Sequence, residues 1–167
     1  MTKPLLRKMQ PEDYPAMQAI YQEGILTKNA TFQKEVMVFE EWDHKYLPTC
    51  RLVAVLEKEV VGFAALLPFS SMESYRGVAE VSIYISSKAR GNGIGSLLMQ
   101  QLIEASEEEG YWTLQSLIFP ENVASISLHH KAGFELRARH PRLGEMDGIF
   151  RDVLLLERRS QTVGLDR

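Results

Sequence analysis

Cysteine is nearly absent from this chain: Cys50 is the only one among 167 residues. A single thiol closes no intramolecular disulfide and excludes a zinc site built from several cysteines. Long hydrophobic runs are missing too. The longest apolar stretch, Val60 to Leu67, is about half of what a bilayer requires, and Pro68 ends it. The residues from Met1 to Met9 carry charge without an uninterrupted apolar centre, so they do not read as a secretion signal, and a cytoplasmic protein is expected. Positive charge is not in excess either. Nineteen Lys and Arg against 22 Asp and Glu leave a net charge of −3, which argues against a general nucleic-acid binder. No Pro-, Gly- or Ser-rich stretch, repeat or low-complexity tract divides the chain.

The composition is that of a globular domain, 45% apolar and 25% charged. A single domain over residues 1–159 is expected, with 160–167 as a frayed polar tail. A strand around Leu5 to Met9 precedes a helix for which Asp13 is a plausible cap. Met17, Ile20, Tyr21 and Ile25 follow at helical spacing. Leu52 to Leu56 and Val60 to Leu67 read as a hairpin. In the strand Ala79 to Ser86, alternation puts Val81, Ile83 and Ile85 on one face and Glu80, Ser82 and Tyr84 on the other. A helix from about Gly93 to Glu109 follows, with Leu97, Leu98, Leu102 and Ala105 on one side. Then come strand Trp112 to Phe119, helix Val123 to Ala132, strand Phe134 to Arg139 and strand Ile149 to Leu156. The pattern predicts an α/β (α+β) fold: a mixed, mostly antiparallel sheet of about six to seven strands flanked by helices.

Three of the 11 glycines fall at Gly91, Gly93 and Gly95, where a strand passes directly into a helix. Glycines there let backbone amides turn inward, and the first amides of a helix attract anions. Arg90 and Lys88 add positive charge at the rim. A glycine-rich turn that merely starts a helix is the other reading of these residues. The spacing is neither Gly-x-Gly-x-x-Gly, as a dinucleotide fold requires, nor the Gly-Lys-Ser/Thr ending of a P-loop. Through Arg90, Gly93 and Gly95 it resembles the Arg/Gln-x-x-Gly-x-Gly/Ala signature of the GNAT superfamily of N-acetyltransferases. The stretch Asn122-Val-Ala-Ser125 with Gly133-Phe134 resembles that family's second cofactor element, Asn-x-x-Ala/Ser followed by Gly-Phe. Alone, it would read as a capped surface helix.

The resemblance implies acetyl-CoA as cosubstrate and no metal. Its pyrophosphate would be held by Arg90, Gly91, Asn92, Gly93, Ile94, Gly95 and Ser96. Its pantetheine arm would meet Asn122, Ser125 and the strand around Ile83. A backbone amide freed by a bulge in that strand, at Tyr84 or Ile85, would face the thioester carbonyl. A closer likeness, through Tyr75-Arg76-Gly-Val-Ala-Glu80-Val-Ser-Ile-Tyr-Ile85, Asn29-Ala-Thr-Phe32 and Ser127-Leu-His129, is to the phosphinothricin and methionine sulfoximine N-acetyltransferases. Family analogy also implies a homodimer.

An amine with a pKa of about 10 must lose a proton before it attacks a thioester. Glu80 is the candidate general base, against a plain surface pairing with Arg76. His129 is the candidate proton donor to the departing thiolate, with His130 weaker and turned away on the helix. Arg76 is either a clamp for an acceptor carboxylate or the partner of Glu80. Phe32 and Tyr75 are candidate apolar walls of the acceptor site. Where the subfamily has Gly-x-Lys-Phe-Gly-x-Trp-x-Asp, this chain has Gly144 to Asp152 with Met146 for the lysine and Phe150 for the tryptophan. The expected reaction is direct acetyl transfer to a small amine. Acetylation of a protein N-terminus or lysine, and a non-catalytic CoA-binding module, are the alternatives.

Overall fold

The computed structural model describes residues 3–166. Seven strands form one sheet: β1 (Leu5–Lys8), β2 (Leu52–Leu56), β3 (Glu59–Pro68), β4 (Val78–Ile85), β5 (Thr113–Ile118), β6 (Glu135–Met146) and β7 (Ile149–Arg159). Their order is β1-β2-β3-β4-β5-β7-β6. Every neighbouring pair is antiparallel except β4 and β5. Four helices flank it: α1 (Tyr14–Thr27), α2 (Phe39–Lys45), α3 (Ile94–Glu108) and α4 (Val123–Lys131).

The alternation read in β4 separates two cores. Val81, Ile83 and Ile85 join Ala64, Leu66, Leu98 and Leu102 under α3. Tyr84 joins Phe63, Ala65, Met17, Ile20, Trp42 and Tyr46 under α1 and α2. Glu80 stands on this second face.

The parallel β4–β5 ladder is short. Val78, Ala79 and Glu80 pair with Thr113, Leu114 and Gln115, and there it ends, although β4 runs on to Ile85 and β5 to Ile118. The two strands therefore diverge over five residues of β4, about 16 Å of chain. The bulge expected in β4 does not occur: its register with β3 is unbroken from Gly62↔Ile85 to Pro68↔Ala79. Divergence from β5, not a bulge, bares the strand. Gly77 O accepts from Trp112 and Thr113, whereas Ser86 N–H donates to Val61 on the other side. Strand alternation then directs the amides of Val81, Ile83 and Ile85 toward the gap, while that of Tyr84 bonds toward β3.

Several elements differ from expectation. Asp13 does not cap α1. Its carboxylate takes a forked pair from Arg7 at 2.8 and 2.9 Å and the Gln10 amide at 2.7 Å, which hold it below the usual carboxylate range. Leu97 is exposed, and the buried side of α3 is Leu98, Met99, Leu102 and Ile103. The tail is not frayed over 160–164. Ser160 accepts from the amides of Thr162 and Val163, and Arg159 donates to the carbonyls of Val163 and Gly164. Arg167 lies outside the described residues.

Candidate active site

The glycine segment forms the head of the gap. Among the described residues, no protein acceptor takes the amides of residues 91–96, so the start of α3 presents a row of unpaired N–H groups. Gly91 (φ 82) and Gly93 (φ 73) have left-handed backbone, which only glycine adopts without strain. Gly95 has another reason. A Cβ there would lie 3.3 Å from Leu128 of α4 and 3.7 Å from Ile85 of β4, so its lack of a side chain lets α3 and α4 close together over the gap. Arg90 and Ser96 are exposed beside this row, and Ile94 is buried as the first anchor of α3. Asn92 is turned back, its Nδ2 donating to Ala89 O.

Asn122 is the N-cap of α4: its Oδ1 accepts the Ser125 amide at 3.3 Å. The surface-helix reading thus accounts for one of its two polar atoms and leaves the Nδ2 donor for a ligand.

Glu80 fits a general base. Burial raises its carboxyl pKa above the ordinary glutamate value, and the charge of Lys45 only partly opposes this. The ion pair with Arg76 does not form. Arg76 bonds Glu73 instead and lies 5.3 Å from the Trp112 ring, with its side chain largely exposed. Tyr46 and Ser82, which sequence reasoning missed as site residues, stand near Glu80. The Tyr46 hydroxyl donates to Ser82 at 3.1 Å, and burial pushes its pKa up to about 12, so it remains a neutral phenol. Ser82 was legible as the next residue on the face of Glu80; Tyr46 carries no local signal.

His129 does not fit a proton donor. It is 1% exposed, Nδ1 lies 2.8 Å from Ser125 O, and Nε2 has no partner among the described residues. Burial lowers its pKa, so at neutral pH the ring is uncharged, with its one proton on Nδ1 facing that carbonyl. Nε2 is then an acceptor. Because the folded state disfavours the charged ring, its contribution to stability is full above the ordinary histidine pKa of about 6.5 and is lost as pH falls below it. The wild type should melt at progressively lower temperature from pH 6.5 to 5, and His129→Gln should lose less over that range. Parallel melting profiles would refute a buried neutral imidazole. His130 is exposed.

On the face of Glu80 the strands beyond the gap carry Gln115, Leu117 and Phe119 from β5 and its end, and Arg151, Val153 and Leu155 from β7. Leu117 is 50% exposed, so α1 and α2 do not cover it. Phe32 forms a wall of this area: its ring meets Phe119 edge-on at 4.7 Å, and a Cβ on Gly144 would collide with it. Tyr75 is a surface residue resting edge-on against Phe69 at 5.5 Å, with no contact to Phe32. Tyr84 is built into the core, stacked on Phe63 and reaching Ala30 O at 3.3 Å.

A strand-to-helix row of free amides beside a split parallel pair, with a desolvated carboxylate at the point of splitting, could hold an extended anionic ligand and bring a base to its far end. Residues 11–134 match the acetyltransferase (GNAT) family. The chain belongs to that family. It is 33% identical over 92% of its length to Bacillus subtilis YwnH, provisionally named a phosphinothricin acetyltransferase, and covers 97% of that protein. It is 34% identical to a methionine sulfoximine/methionine sulfone acetyltransferase of Pseudomonas aeruginosa, over 59% of this chain and 58% of that one. The chain thus spans little more than half of that relative. Among solved structures, a phosphinothricin acetyltransferase from Sinorhizobium meliloti in complex with acetyl-CoA superposes with a TM-score of 0.83 at 27% identity, covering 98% of this chain and 96% of the other. A ribosomal-protein-alanine N-acetyltransferase from Brucella melitensis superposes at 0.84 with 33% identity, over 93% and 99%. Among the described residues no helix is long and apolar enough to cross a membrane.

Proposed function

We propose that this GNAT protein transfers the acetyl group of acetyl-CoA to the amine of a small amino acid or analogue, of the phosphinothricin or methionine sulfoximine kind. The observation that carries the reading is Glu80, a carboxylate with a raised pKa and, among the described residues, no ion-pair partner, on the strand whose free amides line the gap.

The cosubstrate supplies an acetyl thioester. The amides at the start of α3, with Arg90, hold its phosphates, and the Asn122 Nδ2 donates to the arm. Glu80 takes the proton of the acceptor ammonium, directly or through water, and the freed amine attacks the carbonyl carbon. The amide of Ile83 or Ile85 donates to the oxygen as negative charge grows there. The C–S bond breaks as the amide C–N bond forms, the nitrogen releases its second proton to solvent, and the thiolate takes a proton from solvent, since the one proton of the neutral His129 ring is held against the Ser125 carbonyl. No acyl-enzyme is involved: Cys50 is buried and burial pushes its thiol pKa up. Arg76, exposed on the β3–β4 connection, is the proposed clamp for the acceptor carboxylate, and Phe32 a proposed wall; Tyr75, which rests on Phe69 apart from Phe32, is proposed only for the rim.

The test is thiol release from acetyl-CoA with phosphinothricin, methionine sulfoximine, methionine sulfone and other amines. Release with an amino acid supports the proposal, and release with none of the amines refutes it. The likeness to a protein-alanine acetyltransferase gives a second reading, so an alanine-terminal peptide belongs in the panel. Preference for the peptide would move the function there. CoA binding without any transfer would leave a binding module. A homodimer in the cytoplasm completes the proposal, and light scattering tests the mass.

A further inference from the structure

Met146 stands where the resembling subfamily has a lysine, which takes a cation out of the segment that follows Gly144. The structure puts one back from a different strand. Arg151 of β7 places Nη1 3.6 Å from the sulfur of Met146. The same Nη1 donates to Lys28 O at 2.8 Å, and Nη2 donates to Asn29 Oδ1 at 2.8 Å and to Glu121 Oε1 at 3.0 Å. The guanidinium carbon lies 4.2 Å from the centroid of Phe119, whose ring in turn meets Phe32. Arg151 is thus a cation on the face of Glu80, bedded against Phe119 and Met146.

Its partners are unequal. Lys28 O and Asn29 Oδ1 are neutral. Among the described residues Glu121 is the one anion bonded to it, through a single nitrogen. The Arg151 side chain is 14% exposed, whereas that of Glu121 is 56% exposed. Glu121 can therefore return to water at little cost, and the arginine cannot. Nε–H has no acceptor among the described residues, so releasing Glu121 would open the Nε–Nη2 edge. That edge is the fork that binds a planar or tetrahedral oxyanion through two parallel hydrogen bonds. The apolar bed strengthens such a pair.

We infer that Arg151 is the specificity residue for the acceptor's side chain, taking an anionic group such as a phosphinate or carboxylate in exchange for Glu121. This rests on the proposed function and extends it: beside the proposed recognition of the α-carboxylate, Arg151 selects for a second, distal negative charge. A structural alternative exists, in which Arg151 only straps residues 28–29 to β7.

The experiment compares phosphinothricin, which carries a phosphinate, with methionine sulfone, whose side chain is neutral. In Arg151→Met, KM for phosphinothricin should rise at least tenfold more than KM for methionine sulfone, while kcat for the two changes by a common factor. Arg151→Lys, which keeps the charge and loses the fork, should fall between. Glu121→Gln should lower KM for phosphinothricin relative to methionine sulfone by a few-fold, because it removes the competing anion. An equal KM change for both acceptors in Arg151→Met, or a rise for phosphinothricin in Glu121→Gln, overturns the inference in favour of a strap. Melting curves check that each variant is folded. Calorimetric titration of phosphinothricin into the protein with CoA reads the same subsite without turnover. No binding, or binding that Arg151→Met does not weaken, overturns the inference. Binding that depends on Arg151 without acetyl transfer overturns the proposed function alone.

Discussion

Replacing Glu80 by Gln is expected to lower kcat near neutral pH by about 10²- to 10⁴-fold, the usual contribution of a positioned general base. The variant should melt at the same temperature as the wild type or higher. Burial raises the pKa of Glu80 in the folded state above 4.5. The folded protein therefore holds this proton more tightly than the unfolded chain does. Any stability from that preference is complete below the unfolded pKa and is lost as pH rises through the folded one. At neutral pH the ionised, half-buried carboxylate without a partner is a burden on the fold, and a neutral amide of the same shape relieves it. The wild-type kcat/KM should fall on the acid side as Glu80 becomes protonated, at a pH above the ordinary glutamate pKa, and Glu80→Gln should lose that limb. The checks are a pH–rate profile and a melting curve of each protein. A variant with unchanged turnover, or one that loses turnover only because it melts early, would remove Glu80 as the base.

The second large effect is expected at Gly93, the N-cap of α3. Its backbone has φ 73, and no atom lies within 4 Å of where a Cβ would be. A side chain would therefore meet no neighbour, and the whole penalty is conformational. Left-handed backbone costs an ordinary residue about 1–2 kcal/mol, and a β-branched one is disfavoured further. Relaxing that strain turns the first amides of α3 out of line. Gly93→Val should raise KM for acetyl-CoA by about 5- to 30-fold, the range those energies correspond to. The KM for the amine should change much less, because Glu80 and the β4–β5 gap stay as they are. Titration of CoA into the variant measures this directly. Wild-type CoA affinity in a variant that merely melts lower would mean that the loop is only a helix-starting turn.

How far the sequence disclosed this site depended on whether the signal was local. The backbone of the glycine loop was legible because the residues that shape it, Gly91 to Ser96, lie together at a spacing that neither a dinucleotide fold nor a P-loop has. The face of Glu80 was legible from alternation along one strand. The gap was not, because it arises where β4 and β5 stop pairing, and their sequences show no interruption at Val81 or Ser116. The length of β6 was hidden by Pro141 and Gly144, which read as breakers. An edge strand tolerates them, and the register shifts between His140 and Gly144. The short α2 went unread, since Phe39 and Trp42 give only one turn of periodicity. The state of His129 was not legible because its chemistry depends on burial against Phe134 and on the carbonyl of Ser125, and neither is visible in a residue type. Arg151 gave no signal, because most of its partners lie far along the chain.

A seven-stranded sheet ordinarily has two margins, here β1 and β6. The divergence of β4 from β5 gives this one two more, deep inside it. Bare strand margins invite other chains to pair, and that is how sheet proteins aggregate. The inner pair escapes this hazard because α3 and α4 meet across it, Gly95 against Leu128. Only a narrow chain that carries its own amides can enter between them and satisfy both lips. Under the proposed function, the same bare backbone that would be a defect on the rim of the molecule would act in its middle as a filter for the shape of what it admits.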